Sequence, residues 1–180
     1  MIEIRAEQPL DISGVGQVTF DAFSQSELGH HGEADLVSAI RAAQPDAISL
    51  VALDAGKIIG HLMSSPATVE SQGRIISGTA IGPVSVVPSH QHQGIGCALM
   101  NTLIEIASVQ GYNFVAVAGH PDFYLRFGFH PLNTFKIQHC FQSMRDEVFF
   151  LRLLGSVDRT VLTGGRLKYC SEFGPQDRFA

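Results

Sequence analysis

The stretch Gln91-His92-Gln93-Gly94-Ile95-Gly96 joins a predicted strand, residues 79–87, to a predicted helix, residues 96–110. Two glycines separated by one residue let the backbone approach a ligand closely, because neither carries a Cβ atom. The first turn of the helix then offers N–H groups and the positive end of the helix dipole. The stretch therefore predicts a site for an anion such as a phosphate or pyrophosphate.

The composition predicts one globular domain over residues 1–180, with 45% hydrophobic and 16% charged residues. A net charge of −5, with scattered lysines and arginines, argues against a nucleic-acid or membrane-surface protein. No apolar run approaches the roughly 20 residues of a membrane span, and the N-terminus lacks the layout of a signal peptide. Three widely spaced cysteines are expected to be reduced thiols in a cytoplasmic protein.

Hydrophobic periodicity predicts the element order β-α-α-β-β-β-α-β-α-β with a C-terminal addition that contains a last strand, which indicates an α/β domain with helices on a mixed sheet. The strands are expected at residues 2–6, 48–53, 57–64, 79–87, 114–118, 147–154 and 165–170. The longer helices are expected at residues 11–23, 33–43 and 96–110, with Asp11 as a cap of the first. Pro121 can open a short helix that Gly128 ends.

The glycine stretch matches, without a gap, the acetyl-CoA signature Q/R-x-x-G-x-G/A, and the chain here resembles the GNAT superfamily of N-acetyltransferases. Residues 82–88 are similar to the family's preceding strand. Tyr124-Leu125-Arg126-Phe127-Gly128-Phe129 is similar to its later Y-x-x-x-G-F segment.

This likeness covers residues 1–131. The whole chain, including the C-terminal strands and extension in residues 132–180, looks most like a bacterial subgroup called YhbS-like. The resemblance implies a mostly antiparallel sheet with splayed central strands.

The resemblance also implies acetyl-CoA as the co-substrate. The pantetheine arm would pair with the strand positions Val84, Ser85 and Val86, and the N–H of Val86 would polarise the thioester carbonyl. The pyrophosphate would be held at the glycine stretch, by Gln91, His92, Gln93, Gly94, Ile95, Gly96 and Cys97.

Tyr124 matches the tyrosine that protonates the leaving thiolate in many family members, although it could instead only pack on the sheet. The amine acceptor also needs a base, because deprotonating an alkyl amine at pH 7 costs roughly 4–5 kcal/mol. The glutamate that many members carry on the central strands is missing from residues 79–87. His120 is the first candidate for this base. The other candidates are Glu27, Glu33, His61 and a water relay.

Other site types fit the sequence less well. His90 and His92 lie two residues apart, but no acidic residue or cysteine joins them at ligand spacing, so no metal is expected. The sequence shows no base–nucleophile pattern around Cys97, so a catalytic nucleophile is not expected there. A dinucleotide-binding motif would need a third glycine where Leu99 stands, and the chain has no P-loop motif.

Together these features predict an enzyme, a GNAT-type N-acetyltransferase that moves the acetyl group of acetyl-CoA directly to an amine, with Tyr124 as general acid. The acceptor, a small molecule or a peptide, would approach over residues 25–32 and the C-terminal segment. The missing strand glutamate leaves an alternative open, a CoA-binding sensor or interaction module without turnover. The C-terminal strands could pair across a homodimer or complete the acceptor pocket.

Overall fold

The computed structural model of the chain describes residues 2–24 and 32–179. Its helices are α1 (Ile12–Ser24), α2 (Glu33–Ala43), α3 (Ile95–Val109) and the short α4 (Pro121–Tyr124). Its strands are β1 (Glu3–Ala6), β2 (Ile48–Asp54), β3 (Lys57–Ser71), β4 (Arg74–Val86), β5 (Phe114–Ala118), β6 (His130–Pro131), β7 (Gln138–His139), β8 (Phe149–Leu153) and β9 (Arg166–Lys168).

The chain divides into two compact units, and each contains a part of the long strands β3 and β4. The first unit consists of Met1–Ser64 and Gly82–Glu105, and the second of Ser65–Ile81 and Ile106–Ala180. The prediction that residues 1–180 form one domain stays a prediction.

In the first unit, strands β1, β2 and β3 run antiparallel, with register pairs such as Glu3–Leu53 and Ile48–Ser64. Helices α1 and α2 contact each other. The apolar side chains that the helices of this unit bury recur at helical spacing, as expected for amphipathic helices: Val15, Val18, Val37, Ile40, Ile95, Leu99, Met100 and Leu103.

A β-bulge between β2 and β3 interrupts the alternation of side chains along β3, so that Ile58 and Gly60 face opposite sides of the sheet. Leu53 pairs with Ile58, whereas Ala52 pairs with Gly60, so β3 has one extra residue between the two pairs. Ile58 contacts helix α1. A Cβ atom on Gly60 would lie 3.1 Å from Cγ2 of Ile95 in helix α3. Helix α1 therefore covers one face of this part of the sheet and helix α3 the other.

In the second unit the strand order is β3-β4-β5-β8-β6, with β9 paired to the end of β3 and β7 paired to β9. Strands β4 and β5 run parallel, from the pair Thr79–Val115 to the pair Ile81–Val117. Strand β8 is antiparallel to both β5 and β6, and β9 is antiparallel to β3. The predicted fold class, an α/β fold with a mixed and mostly antiparallel sheet, is confirmed.

The second unit has an aromatic core. Strand β5 is buried from Phe114 to Val117, as its near-continuous apolar run predicts for a strand covered on both faces. A buried cluster of this unit brings together strands β3, β4, β5, β8 and β9 and the turns between them: Ala67, Val69, Ala80, Phe114, Ala116, Leu132, Phe135, Ile137, Phe141, Phe149, Leu151, Leu162, Leu167 and Tyr169.

The sequence predictions of Glu33–Ala43 and Phe114–Ala118 agree with the structure at both ends. Strand β3 is longer than predicted and continues to Ser71, where a turn leads directly into β4. The predicted strands at residues 147–154 and 165–170 are shorter in the structure, at Phe149–Leu153 and Arg166–Lys168, and a 3-10 turn at Asp146–Val148 occupies the start of the first.

Asp11 has a different role from the predicted cap of α1. It ends a 3-10 turn, and its carboxylate accepts hydrogen bonds from the backbone N–H of Gln8 at 2.7 Å and from Arg5 at 2.6 Å. Helix α1 begins one residue later, at Ile12. Across residues 2–24 and 32–179, the structure has no helix with the length and apolar character needed to cross a membrane.

Candidate active site

The glycine loop, residues Gln91 to Cys97, lies in the first unit and leads into helix α3. Its first four residues are exposed. His92 and Gly94 both have left-handed backbone conformations, with φ of 61° and 85°. A Cβ atom on Gly94 would meet no other atom within 4 Å. The glycine is therefore favoured by its backbone conformation and not by crowding from the protein.

Two glutamine side chains fix this loop to the chain that precedes it. Nε2 of Gln91 donates to the carbonyl oxygen of Val86 at 3.1 Å, and Nε2 of Gln93 donates to that of Ser89 at 3.1 Å. The helix begins where the N–H of Ala98 donates to the carbonyl of Gly94. Residues in the first turn of a helix have no helical acceptors for their N–H groups, so this turn can hold an anion.

The end of β4 presents the predicted pantetheine positions. Val84 and Val86 are half-buried, and Ser85 is fully buried. The N–H of Val87 donates to the carbonyl of Ile59 on β3 at 2.9 Å. Successive N–H groups of an extended chain point to opposite edges, so the N–H of Val86 is directed away from β3.

Ser85 carries a polar atom that the fold itself leaves unsatisfied. Its Oγ is buried and has no hydrogen-bond partner within the described part of the chain. A buried hydroxyl normally has a partner, since leaving it unpaired costs stability.

A cavity of about 350 Å³ lies beside the glycine loop within the first unit. One wall is the segment from Val87 to His90, and the other is formed by helix α1 and strand β3, through Asp21, Ser24, Lys57 and Ile59. Its lining is mixed in charge and polarity, which suits a polar ligand.

Tyr124 lies in the second unit, at the end of helix α4, and its side chain is buried. Burial raises the pKa of its hydroxyl to about 12, so the phenol is neutral at pH 7 and holds its proton more firmly than an exposed tyrosine does. The ring lies on the backbone of Gly119, where a Cβ atom would approach Cε2 of Tyr124 to 2.5 Å. Edge contacts with Phe123 and Phe129, at centroid distances of 5.0 and 5.9 Å, hold the ring from its sides.

His120 immediately precedes helix α4, and the structure brings it close to Tyr124. Its carbonyl accepts hydrogen bonds from the N–H groups of Phe123 and Tyr124, at 3.2 and 3.4 Å. The imidazole is exposed and makes no capping bond to the helix. An exposed imidazole at this position is accessible to an incoming amine.

The other candidate bases have different surroundings. Glu27 lies outside the described residues, as does most of the predicted acceptor loop. Glu33 is the first residue of helix α2, where a carboxylate is favoured by the helix dipole. His61 is fully buried on β3, with its Nε2 2.9 Å from Oγ of Ser49.

His61 belongs to a buried polar cluster in the first unit that the sequence analysis missed. Ser49 donates to Oε2 of Glu7, and Nη2 of Arg41 lies 2.7 Å from Oε1 of Glu7, without the alignment of a hydrogen bond. Burial lowers the pKa of His61. Burial alone would raise the pKa of Glu7, but hydrogen bonds with His61 and Ser49 and the charge of Arg41 lower it overall. The cluster links β1, α2, β2 and β3.

The described residues contain no group of three or more His, Cys, Asp or Glu side chains that could hold a metal ion. His90, which was weighed as a ligand with His92, instead has its Nδ1 2.9 Å from Oγ of Ser89.

Comparison with known proteins places these features in a family. The family model of the acetyltransferase (GNAT) domain matches residues 3–132. The uncharacterized N-acetyltransferase YjhQ of Escherichia coli (strain K12) is 35% identical over 124 residues, which cover 67% of this chain. The matched region spans 65% of that relative's length, slightly less than two thirds.

Two solved structures are similar over nearly the whole chain. The GNAT family N-acetyltransferase YhbS from Escherichia coli, in complex with CoA, has a TM-score of 0.83 and 26% identity, and the match covers 96% of this chain and 91% of that one. A GNAT family acetyltransferase from Brucella melitensis, in complex with acetyl-CoA, has a TM-score of 0.78 and 28% identity, with 97% and 99% covered. The predicted resemblance is confirmed, and the chain belongs to the GNAT family of acetyltransferases.

Proposed function

We propose that this chain is an N-acetyltransferase that moves the acetyl group of acetyl-CoA directly to an amine. The observation that carries the proposal is the exposed glycine loop at the start of helix α3, with Gly94 at a φ of 85°. Family membership supports it, and so do the similar structures that contain CoA and acetyl-CoA.

The proposed binding residues all belong to the first unit. Residues Gln91 to Cys97 hold the pyrophosphate through backbone N–H groups, while Gln91 and Gln93 keep the loop in shape through their bonds to Val86 and Ser89. Val84, Ser85 and Val86 hold the pantetheine arm. The half-buried Val84 and Val86, which leave this strand end partly accessible, support this assignment.

Acetyl-CoA supplies an activated acyl group with a thiolate leaving group. The N–H of Val86 donates to the thioester carbonyl and stabilises the negative charge that develops on its oxygen. This role is supported by the direction of that N–H away from β3, which follows from the bond between Val87 and Ile59. Holding both reactants in place supplies a further part of the acceleration.

Tyr124 is the proposed general acid. Its phenol is protonated at pH 7, as any tyrosine is, and it gives its proton to the departing sulfur, although the pKa of about 12 makes it a weaker acid than an exposed tyrosine. A thiolate with a pKa near 8.5 is a weaker base than a phenolate, so transfer of this proton to the sulfur is uphill unless a neighbouring group stabilises the phenolate. General acid catalysis of this kind contributes about 10²–10⁴-fold.

His120 is the proposed base for the acceptor amine. Its imidazole is exposed, precedes helix α4 and is four residues from Tyr124 in the same turn of chain. An alkyl ammonium with a pKa near 10.4 must lose a proton before attack, at a cost of roughly 4–5 kcal/mol at pH 7. A neutral imidazole or a water that it orients can accept this proton.

The test of the proposed function is CoA release from acetyl-CoA in the presence of a panel of amines, including amino acids, polyamines, aminoglycosides and peptides. Release that depends on the amine and greatly exceeds the uncatalysed rate is expected. Gly94→Glu, which adds bulk and negative charge to the glycine loop, should abolish both release and acetyl-CoA binding in calorimetry. Undiminished binding by this variant would contradict the position of the site.

One observation favours a second function, a CoA-binding sensor without turnover. Strand β4 contains no acidic residue, although a glutamate on the central strands serves as base in many family members. Tight acetyl-CoA binding without CoA release for any amine in the panel would support the sensor. Sustained release with any one amine would exclude it.

A further inference from the structure

Tyr169 carries a buried hydroxyl that the fold leaves without a partner. The residue follows strand β9, its side chain is buried, and its Oη has no hydrogen-bond partner within residues 2–24 and 32–179. Its ring is held by edge contacts with Phe141 and Phe173, at centroid distances of 5.3 and 4.9 Å. Phenylalanine would make the same ring contacts without burying an unpaired hydroxyl, so packing alone does not account for a tyrosine here.

The ring of Tyr169 lies at the end of β5 where the phenol that the proposed function uses also lies. The Tyr169 ring also contacts Phe149, at 6.2 Å between centroids, and Phe149 pairs with Ala118, the last residue of β5. The ring of Tyr124 packs on the backbone of the next residue, Gly119. Both tyrosines therefore lie at the same end of β5, within the second unit.

The electrostatics of the two phenols agree with this placement. Burial raises the pKa of Tyr169, and the neighbouring phenol of Tyr124 raises it further. Ionisation of one phenol therefore disfavours ionisation of the other. When Tyr124 is the group that loses its proton, Tyr169 stays protonated and remains a hydrogen-bond donor.

We propose that Tyr169 is a positioning residue for Tyr124, whose unpartnered hydroxyl donates a hydrogen bond to the Tyr124 oxygen as that oxygen gives up its proton. The inference rests on the proposed function, since it requires Tyr124 to be the general acid. It assigns a role to the C-terminal segment, which the family match to residues 3–132 does not include.

The proposed step conserves its protons. The C–S bond of the thioester breaks, and the sulfur takes the proton of Tyr124, so the O–H bond of Tyr124 breaks as an S–H bond forms. The phenolate left on Tyr124 accepts the hydrogen bond from Tyr169, which keeps its own proton. The amine loses one proton as the amide forms, and that proton restores the phenol of Tyr124.

The test uses hydroxylamine as the acceptor, a small nucleophile that is largely unprotonated at pH 7 and needs no particular acceptor pocket. CoA release would be followed for the unchanged protein, Tyr169→Phe, Tyr124→Phe and the double variant. Tyr112→Phe is the matched control, since Tyr112 is the remaining tyrosine of the chain. Thermal unfolding of each variant would be measured in parallel.

Tyr169→Phe is expected to lower kcat about tenfold, as the loss of one hydrogen bond to a charged group would, with the KM for acetyl-CoA nearly unchanged. Its Tm should be equal to or higher than that of the unchanged protein, because an unpaired buried hydroxyl is removed. The double variant should be no slower than Tyr124→Phe, since Tyr169 acts only through Tyr124. Tyr112→Phe should leave kcat unchanged.

The other outcomes of this experiment would contradict the inference, the proposed function or both. A slow Tyr124→Phe with a normal Tyr169→Phe would overturn the inference and leave the proposed function standing. A double variant slowed by the product of the two single effects would also overturn the inference, because the residues would act independently. A normal rate for Tyr124→Phe would overturn the inference and the role of Tyr124 as general acid, whereas no acceleration of hydroxylamine acetylation by the unchanged protein would contradict the proposed N-acetyltransferase activity as well.

Discussion

The ring of Tyr124 rests directly on the backbone of Gly119, with no room for a side chain between them: a Cβ atom on Gly119 would lie 2.5 Å from Cε2 and 3.3 Å from Oη of the tyrosine. The position of the hydroxyl therefore depends on the glycine that follows β5. This contact allows the position of the phenol to be tested separately from its chemistry.

Gly119→Ala should lower turnover while the hydroxyl of Tyr124 is still present, because the ring must shift to admit a methyl group. Overpacking of this kind typically costs about 1–3 kcal/mol of folding stability. Gly78→Ala is the matched control, since a Cβ atom there would lie 2.5 Å from Cε2 of Phe114. Both variants should lower Tm, but only Gly119→Ala should lower kcat of the folded protein. Equal kcat in the two variants would contradict the proposed position of the phenol.

Tyr124→Phe removes the hydroxyl and keeps the edge contacts of the ring with Phe123 and Phe129. We expect kcat to fall by about 10²-fold or more, as for the loss of a general acid, and acetyl-CoA affinity to stay close to normal. Steady-state CoA release and calorimetry measure the two quantities. An unchanged kcat would remove Tyr124 from its proposed role.

Gly94→Ala should weaken acetyl-CoA binding, since an alanine in the left-handed conformation costs about 1–2 kcal/mol and the loop would relax away from it. This cost corresponds to a loss of affinity of about tenfold. Gly111, just beyond the other end of helix α3, has a similar φ of 78° and equally open surroundings. Gly111→Ala should therefore lose similar stability but keep its affinity for acetyl-CoA in calorimetry.

Folding stability should fall between pH 7 and pH 5, in part because of His61. Burial lowers its pKa in the folded protein, so the unfolded chain binds a proton below about pH 6.5 that the folded chain does not. The contribution of His61 is thus complete above that pH and is lost as the pH falls. His139, whose pKa is also lowered by burial, acts with the same sign.

His61→Gln should reduce this pH dependence by at most about 1.4 kcal/mol per pH unit, the slope that one proton produces. The slope comes from urea unfolding measured at a series of pH values. The remaining slope should include the contribution of His139. An unchanged slope in the variant would show that His61 is not held neutral in the folded protein.

The sequence predicted best those elements whose pattern is long and strongly periodic. Helix α2 and strand β5 agree at both ends, and the glycine loop joins β4 to α3 where the motif places it. In these segments local preference and burial point to the same structure. The helix-ending role of Gly128 was also predicted, and its φ is 75°.

The polar cluster of Glu7 and His61 could not be predicted, because its members are far apart in the chain. Ser49 and Glu7 are 42 residues apart, and no local motif links them. Only the pairing of three strands with helix α2 above them brings the four side chains together.

The C-terminal segment was predicted less accurately for a related reason. Its short 3-10 turns depend on individual contacts, such as the carboxylate of Asp158 accepting from the N–H of Thr160 at 2.9 Å. Tyr169 has no sequence motif around it. Its unpartnered hydroxyl becomes visible only when the rings that surround it are in place.

The backbone of Tyr169 is itself held by one side chain further along the chain. Oε1 of Gln176 accepts from its N–H at 2.7 Å, and Nε2 of Gln176 donates to its carbonyl at 3.0 Å, as a neighbouring strand would. A protease cut between Tyr169 and Gln176 would leave every family motif intact, but Gln176 would no longer hold the backbone of Tyr169 in place. If Tyr169 positions Tyr124 as proposed, a sample clipped in this tail would keep the glycine loop and yet turn over more slowly than the intact chain.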